Sequence, residues 1–228
     1  MSDIYRSGQY LESNPDWHTG DSAWKASKIA RMLNRHAIAP TTLYEVGCGA
    51  GEILVQLQGR FPDCAMTGYD ISDQALALCA SRANAKLQFK NRITNPITEK
   101  ASVAIAIDVF EHVPDYLGFL REFQQTADYK MFHIPLELTA ENAMRSKILE
   151  GARASMGHIH YFNKATALAA LKACGYRIID SEYTAWQFEL YGARRPLMRT
   201  ILLKALSLVD RDLAVNFMGG HSLLVLAT

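Results

Sequence analysis

Charge of either sign is what this chain most lacks in excess. Its 24 basic and 23 acidic residues leave a net charge of +1 over 228 residues. A protein that holds nucleic acid through phosphates needs a basic surplus, so this balance argues against a polynucleotide partner and favours a small, modestly charged one. Cysteine is scarce: Cys48, Cys64, Cys79 and Cys174 show neither the paired spacing of a zinc site nor a CxxC redox motif. Scattered reduced thiols suit the cytosol. No apolar stretch reaches the about 18 residues of a membrane span, and the start MSDIYRSGQYLESNPDW lacks the basic-then-apolar pattern of a signal peptide. The chain therefore reads as soluble and cytoplasmic, without stable membrane insertion. Repeats and low-complexity tracts are missing too. What remains, 49% hydrophobic and 21% charged, is an ordinary globular composition with enough length for one core.

The pattern along the chain gives a single domain, 1–228, in three stretches. Residues 1–40 form a polar, aromatic arm and a helix from about Asp21 to His36, with Pro40 beyond its end. From 42 to 135 strand and helix alternate. Leu43–Val46 is a strand followed by a glycine loop and a helix ending near Gly59; Ala65–Tyr69 is a strand ending at Asp70, with Ser72 or Asp73 placed to cap the next helix. Leu87–Lys90 is a third strand, and the unbroken apolar run Val103–Ile107 is a fourth, central and buried on both faces. A helix over about 116–126 and the strand Lys130–Ile134 complete the alternation. Residues 136–228 carry helical insertions at about 140–150 and 184–221, a helix capped by Asn163 and closed by Gly175, and strands at Tyr176–Tyr183 and Leu223–Ala227. The fold class is α/β: a doubly wound, Rossmann-like, seven-stranded and mostly parallel sheet with helices on both faces. Ligands belong at its carboxyl edge.

Chemistry enters at Glu45-Val46-Gly47-Cys48-Gly49-Ala50-Gly51. Glycines after a buried strand let a ligand approach the backbone, and the following helix offers free amides. Alone, the loop is a weak signal. The dinucleotide pattern needs glycine three positions after Gly49, where Glu52 stands, and the lysine and hydroxyl of a P-loop are missing. The surroundings are acidic: Glu45 at the first strand end, Asp70 at the second, Asp108 and Glu111 after the fourth. These would repel a pyrophosphate but serve a ribose diol, an ammonium and a sulfonium. A carboxylate placed like Asp70 can accept two ribose hydroxyls, at roughly 1.5–3 kcal/mol for each charge-assisted bond.

Together, YEVGCGAGEI (44–53), TGYDIS (67–72) and DVFEHVPD (108–115) resemble the successive motifs of class I S-adenosylmethionine-dependent methyltransferases, over about residues 42 to 135. The resemblance implies S-adenosyl-L-methionine as cofactor, with Glu45, Gly47 and Gly49 along its methionine moiety, Asp70 on ribose and Ile71 packed on adenine. Asp108 and Val109 would begin the loop beneath the sulfonium. Many relatives carry an acidic or polar residue near the adenine amino group, where this chain has Asn91 and Arg92. The DVFEHVPD wording is closest to the small-molecule branch, and the (Asp/Asn)-Pro-Pro-aromatic motif of DNA amino-methyltransferases is missing. The arm WHTGDSAWK and the HIHYFN loop resemble methyltransferases of secondary-metabolite or surface-saccharide pathways.

On the acceptor side, the residues available as a general base are His160 first, then Glu137 and His112. His158 and His160 are two apart, so an extended segment would turn both to one face. No third ligand is evident beside them, and no metal site is assigned. Tyr5, Tyr10, Trp17, His18 and Trp24 fit a lid or a packed arm, and Arg194, Arg195 and Arg199 either an acidic acceptor or a solvated helix face. Two rival functions share the sheet: a nicotinamide-dependent oxidoreductase, and a cofactor-binding module without catalysis.

Overall fold

Seven strands form one sheet in the order β3-β2-β1-β4-β5-β7-β6. The computed structural model describes residues 17, 19–145, 147–185, 206 and 208–228. Within them β1 is Thr42–Val46, β2 Ala65–Asp70, β3 Leu87–Asn91, β4 Ala101–Ile107, β5 Ala127–Pro135, β6 Ile178–Thr184 and β7 Ser222–Ala227. The first five strands are parallel, and β7 lies antiparallel between β5 and β6. The chain runs outward from β1 through β2 to β3, then crosses back to β4 on the other side of β1. The loops leaving β1 and β4 therefore part, and a crevice opens between them at the carboxyl edge.

The two faces of the sheet are filled in different ways. Along β4, Val103, Ile105 and Ile107 point to one face, with Leu43, Met66 and Met131 beside them. Helices α1 (Ser22–Arg35) and α2 (Glu52–Gln58) cover this face with Ile29, Met32, Leu33, Leu54 and Leu57. The alternate residues Ala104 and Ala106 face the other way. Their small side chains leave depth that Phe110, Phe123 and Phe132 fill, the last two with ring centroids 5.3 Å apart. Helices α4 (Tyr116–Phe123) and α7 (Lys164–Ala173) close that side with Leu120, Ala167 and Leu171. Each buried phenylalanine contributes about 1.5–3 kcal/mol by leaving water.

Capping follows the sequence. Ser72 Oγ accepts from Ala75 N (3.3 Å) at the start of α3 (Asp73–Cys79), and Asn163 forms a reciprocal capping box with Thr166 at the start of α7. Two expected helices differ in extent. The one expected over 116–126 is α4 followed by a tighter turn at Gln124–Thr126, where Thr126 Oγ1 donates to Phe123 O (2.7 Å). The insertion expected at 140–150 is two helices, α5 (Ala140–Met144), capped by Thr139, and α6 (Lys147–Met156). A last helix, α8 (Arg211–Met218), precedes β7. Tyr5, Tyr10, His18, Arg194, Arg195, Arg199 and Lys204 lie outside the described residues. Among the described residues, no helix is long and apolar enough to cross a membrane.

Candidate active site

The crevice at the carboxyl edge is a cavity of about 640 Å³, with the loop after β1 as one wall. Gly47 has φ +79°, and a Cβ there would stand 2.6 Å from Val109 Cγ2. Only glycine lets the loop pass under Val109, which itself lines the cavity. Gly49 N donates to Asp70 Oδ2 (2.8 Å) and Ser72 N to Asp70 Oδ1 (2.9 Å). Asp70 thus fixes the loop's curvature and keeps its remaining lone pairs for a ligand on the cavity side. Burial pushes its carboxyl up, against the opposing amide bonds from Ser72 and Gly49. Ile71 lines the same end with Arg92 and Ile93; Arg92 is paired with Glu122, while Asn91 Nδ2 turns away to donate to Asp73 Oδ1 (2.7 Å).

Glu45 is 1% exposed, and its Oε2 has no hydrogen-bond partner among the described residues. Burial pushes its carboxyl well above the usual range, and the neighbouring Cys79 and Asp70 add to the shift while Lys25 opposes it. An orphaned acceptor on the cavity wall is costly to keep. A cationic ligand group would satisfy it.

Asp108 begins the loop after β4 and borders the cavity, as its position in the sequence implies, but its charge is already met. Lys25 Nζ lies 2.8 Å from Asp108 Oδ2 and 2.9 Å from Asp21 Oδ2, and His133 Nδ1 lies 2.6 Å from Asp108 Oδ1. His133 Nε2 reaches Thr184 Oγ1 at 2.9 Å, which ties β5 to β6. Burial would raise the Asp108 carboxyl, yet His133 and Lys25 outweigh it and hold the group far below the ordinary carboxylate range. Lys25 responds in kind: burial lowers its pKa, Asp108 and Asp21 outweigh that, and it stays charged. Asp108 also has φ +54°, a left-handed backbone unusual for a residue with a side chain. The acidic contact left open to a cation is therefore Glu45 rather than Asp108.

At the other end of the cavity stand His112, Glu137, His158, Val113 and Met156. His158 Nδ1 donates to Glu137 Oε2 (2.7 Å), His112 Nδ1 donates to the Gly157 carbonyl (3.1 Å), and the two imidazoles meet edge to face at 4.7 Å. His160, the first base candidate by position, does not line the cavity. Its Nε2 donates to Val113 O (3.0 Å) and its ring packs on Tyr116. Residues 157–163 form neither strand nor helix, so the rule that residues two apart share a face does not apply to them. His158 faces the cavity and His160 the α4 side. Glu111 is 1% exposed with both carboxylate oxygens lacking hydrogen-bond partners among the described residues, and burial drives its carboxyl well above the usual range.

Sequence patterns left three groups unmarked: Lys25 and Asp21 from the arm-and-helix region, and His133 at the end of β5. All three line the cavity. A histidine in a buried strand, at 4% exposure, was the available signal. Of the aromatic arm, Trp17 sits over the glycine loop, with its Cε3 3.5 Å from where a Gly49 Cβ would be. Trp24 packs on His133 instead.

Comparison with known proteins agrees with the fold. No curated protein matches the chain in sequence. Among solved structures, the chain is similar to magnesium protoporphyrin IX methyltransferase of Synechocystis PCC 6803, solved with S-adenosylhomocysteine, at 14% identity and TM-score 0.61 over 90% of this chain and 82% of that one. The N-methyltransferase NodS of Bradyrhizobium japonicum WM9 is similar at 12% identity and TM-score 0.55, over 88% and 85% of the two chains. YjhP of E. coli is similar at 16% identity and TM-score 0.64, over 99% of each. At these identities the likeness shows the fold. Residues 17–181 match the family described as a methyltransferase domain. This stretch covers most of the chain and includes the glycine loop, Asp70 and the Asp108 loop, so the chain belongs to that family, the S-adenosylmethionine-dependent methyltransferases of class I fold.

Proposed function

We propose that this methyltransferase moves the methyl group of S-adenosylmethionine to an oxygen or nitrogen atom of a small molecule, of the secondary-metabolite or saccharide type. The observation that carries the proposal is the buried Glu45 carboxyl beside the glycine loop, whose Oε2 has no hydrogen-bond partner among the described residues. It fits the ammonium of a methionine moiety, as Gly47 fits close approach and Asp70 fits a ribose diol. Ile71 and Ile93 offer apolar faces to adenine.

When bound, S-adenosylmethionine supplies a methyl group on a sulfonium, displaced in line with the electron pair returning to sulfur. The chain's own task is alignment, which can lower such a barrier by about 7–11 kcal/mol. Lys25 and His133 neutralise Asp108 and so hold the loop after β4 in its left-handed turn. Glu137, His158 and His112 form the polar wall that orients an acceptor, whose proton leaves to solvent; His160, tied to Val113 O, supports the Val113 loop. A cavity with seven carboxylates (Asp21, Glu45, Glu52, Asp70, Asp108, Glu122, Glu137) against Lys25 and Arg92 suits a compact acceptor better than a polyanion. The solved neighbours named for a porphyrin substrate and for N-methylation are consistent with small acceptors.

Calorimetry with S-adenosylmethionine, S-adenosylhomocysteine and NADH tests the cofactor assignment; binding of NADH alone would overturn it. A panel of hydroxyl and amine acceptors, read by S-adenosylhomocysteine release, tests the transfer and separates it from cofactor binding without catalysis.

A further inference from the structure

Three side chains that are distant in sequence or buried from view converge beside the acceptor end of the cavity. Glu111, His112 and His158 each offer one ligand atom, and these atoms all lie within 4.8 Å of one another. We infer that Glu111, His112 and His158 form a binding site for a divalent transition-metal ion of the zinc class.

The donor set is the first reason. Two imidazoles and one carboxylate, with a further position open, is the composition of catalytic rather than structural zinc sites. The second reason is how the imidazoles are held. The Gly157 carbonyl can only accept, so His112 carries its proton on Nδ1 and its ring lone pair on Nε2, which stands 3.9 Å from Glu111 Oε1. The Glu137 carboxylate orients His158 in the same way through Nδ1, leaving Nε2 as the lone-pair nitrogen. A carboxylate or carbonyl behind each imidazole is the usual support of a metal-bound histidine.

The third reason is Glu111 itself. Its carboxylate is buried at 1% exposure with no hydrogen-bond partner among the described residues, although the segments carrying the site are locked together: Ile159 N and His160 N both donate to the Glu111 carbonyl, at 3.0 and 3.1 Å. Such an arrangement fixes the backbone and leaves the acid without a hydrogen-bonded counter-charge among the described residues. Donors about 2.0–2.2 Å from zinc stand roughly 3.4 Å apart, so closure needs side-chain shifts on the order of 1 Å. His112 and His158 line the cavity, which places the open coordination position toward the acceptor. Polarising an acceptor hydroxyl there, with its proton passing to solvent, is a role that rests on the methyl-transfer proposal; binding of the ion does not.

The test is titration of the metal-free full chain with Co²⁺, read by its visible d–d absorption, followed by displacement with Zn²⁺, with Mg²⁺ as a separate arm. One equivalent of Co²⁺ with the intense bands of four- or five-coordination, displaced by Zn²⁺, is expected. Glu111→Gln, His112→Gln and His158→Asn should each weaken binding about 100-fold, and Glu137→Gln roughly 10-fold. S-adenosylhomocysteine calorimetry on every variant reports folding and cofactor binding separately. No Co²⁺ binding by a chain that still binds S-adenosylhomocysteine, binding of Mg²⁺ only, or Co²⁺ binding unchanged in all three ligand variants would overturn the site. Co²⁺ binding without S-adenosylhomocysteine binding would uphold the site and sink the methyl-transfer proposal instead.

Discussion

At the glycine-loop end of the cavity, each contact is the end of a strand or the few residues after it: Glu45 to Gly49 after β1, Asp70 and Ile71 after β2. At the opposite end, His112 comes from the turn after β4, Glu137 from just past β5, and His158 from the segment after α6. The first end is fixed by backbone conformation, through positive φ at Gly47 and Gly49 and the amide bonds to Asp70. The second is fixed by side chains holding one another. A backbone-built site tolerates little change of residue type but travels intact through a family. A side-chain-built site can be rewritten one residue at a time, and under the proposed function this is where acceptor preference would be set.

Substitutions that separate the two ends sharpen this contrast. Gly47→Val places methyls against Val109 in a backbone region closed to β-branched residues, and should weaken S-adenosylhomocysteine binding more than about 100-fold by calorimetry. Glu137→Gln should cut turnover on a hydroxyl acceptor on the order of 100-fold while S-adenosylhomocysteine affinity stays within about threefold. Equal losses in both quantities for both variants would erase the distinction between the ends.

Asp108→Asn keeps a residue that tolerates the left-handed backbone but removes the charge facing Lys25 and His133. It should cost about 3 kcal/mol in denaturant unfolding, the lower end for breaking a buried pair. Glu45→Gln should act in the opposite sense on the ligand-free protein. A carboxyl whose folded pKa is raised holds a proton that the unfolded chain releases above about pH 4.3, so native Glu45 lowers stability progressively as pH rises through that interval. The variant's advantage in thermal unfolding should therefore widen as pH rises above the unfolded value of about 4.3, while its cofactor affinity falls roughly tenfold for loss of one charge-assisted bond. The smallest effect belongs to the surface. Asp180 accepts from Arg35 and His36, whose bonds hold its carboxyl below the usual range against the effect of burial. That stabilisation is present above the unfolded carboxylate pKa and lost as pH falls through the folded one. Asp180→Asn should cost under about 1 kcal/mol at pH 7 and nothing near pH 2.

The same contrast explains what could be seen in the sequence. All seven strands were legible, because period-two alternation and unbroken apolar runs are local; the antiparallel placement of β7 between β5 and β6 was not, because pairing partners are not written in either strand. The place of Gly47, Gly49, Asp70 and Ile71 at strand ends, where they line the cavity, was legible for the same local reason. Lys25 carried no local signal and His133 only that of a polar residue in an apolar strand: nothing in WHTGDSAWK or KMFHIP says that the two meet across Asp108. His160 stood first by position and residue type, and nothing local separates it from His158, which two-residue spacing in an extended segment would have turned to the same face; the burial of Glu111 is set by tertiary packing that its own neighbours do not encode.

The placement of β7 has a consequence for how the molecule assembles. Among the described residues strand β6 pairs with β7 alone, so it stays outside the sheet until a segment nearly forty residues further along the chain has docked on β5. Contacts of such long separation form late and slow the overall reaction. The Thr184 hydroxyl that receives His133, and the Arg31 and Arg35 clamps on Glu182 and Asp180, can therefore close only after that docking. The polar network under Asp108 would be among the last parts of the protein to become native, and refolding followed by a probe near His133 should lag behind one placed in α2.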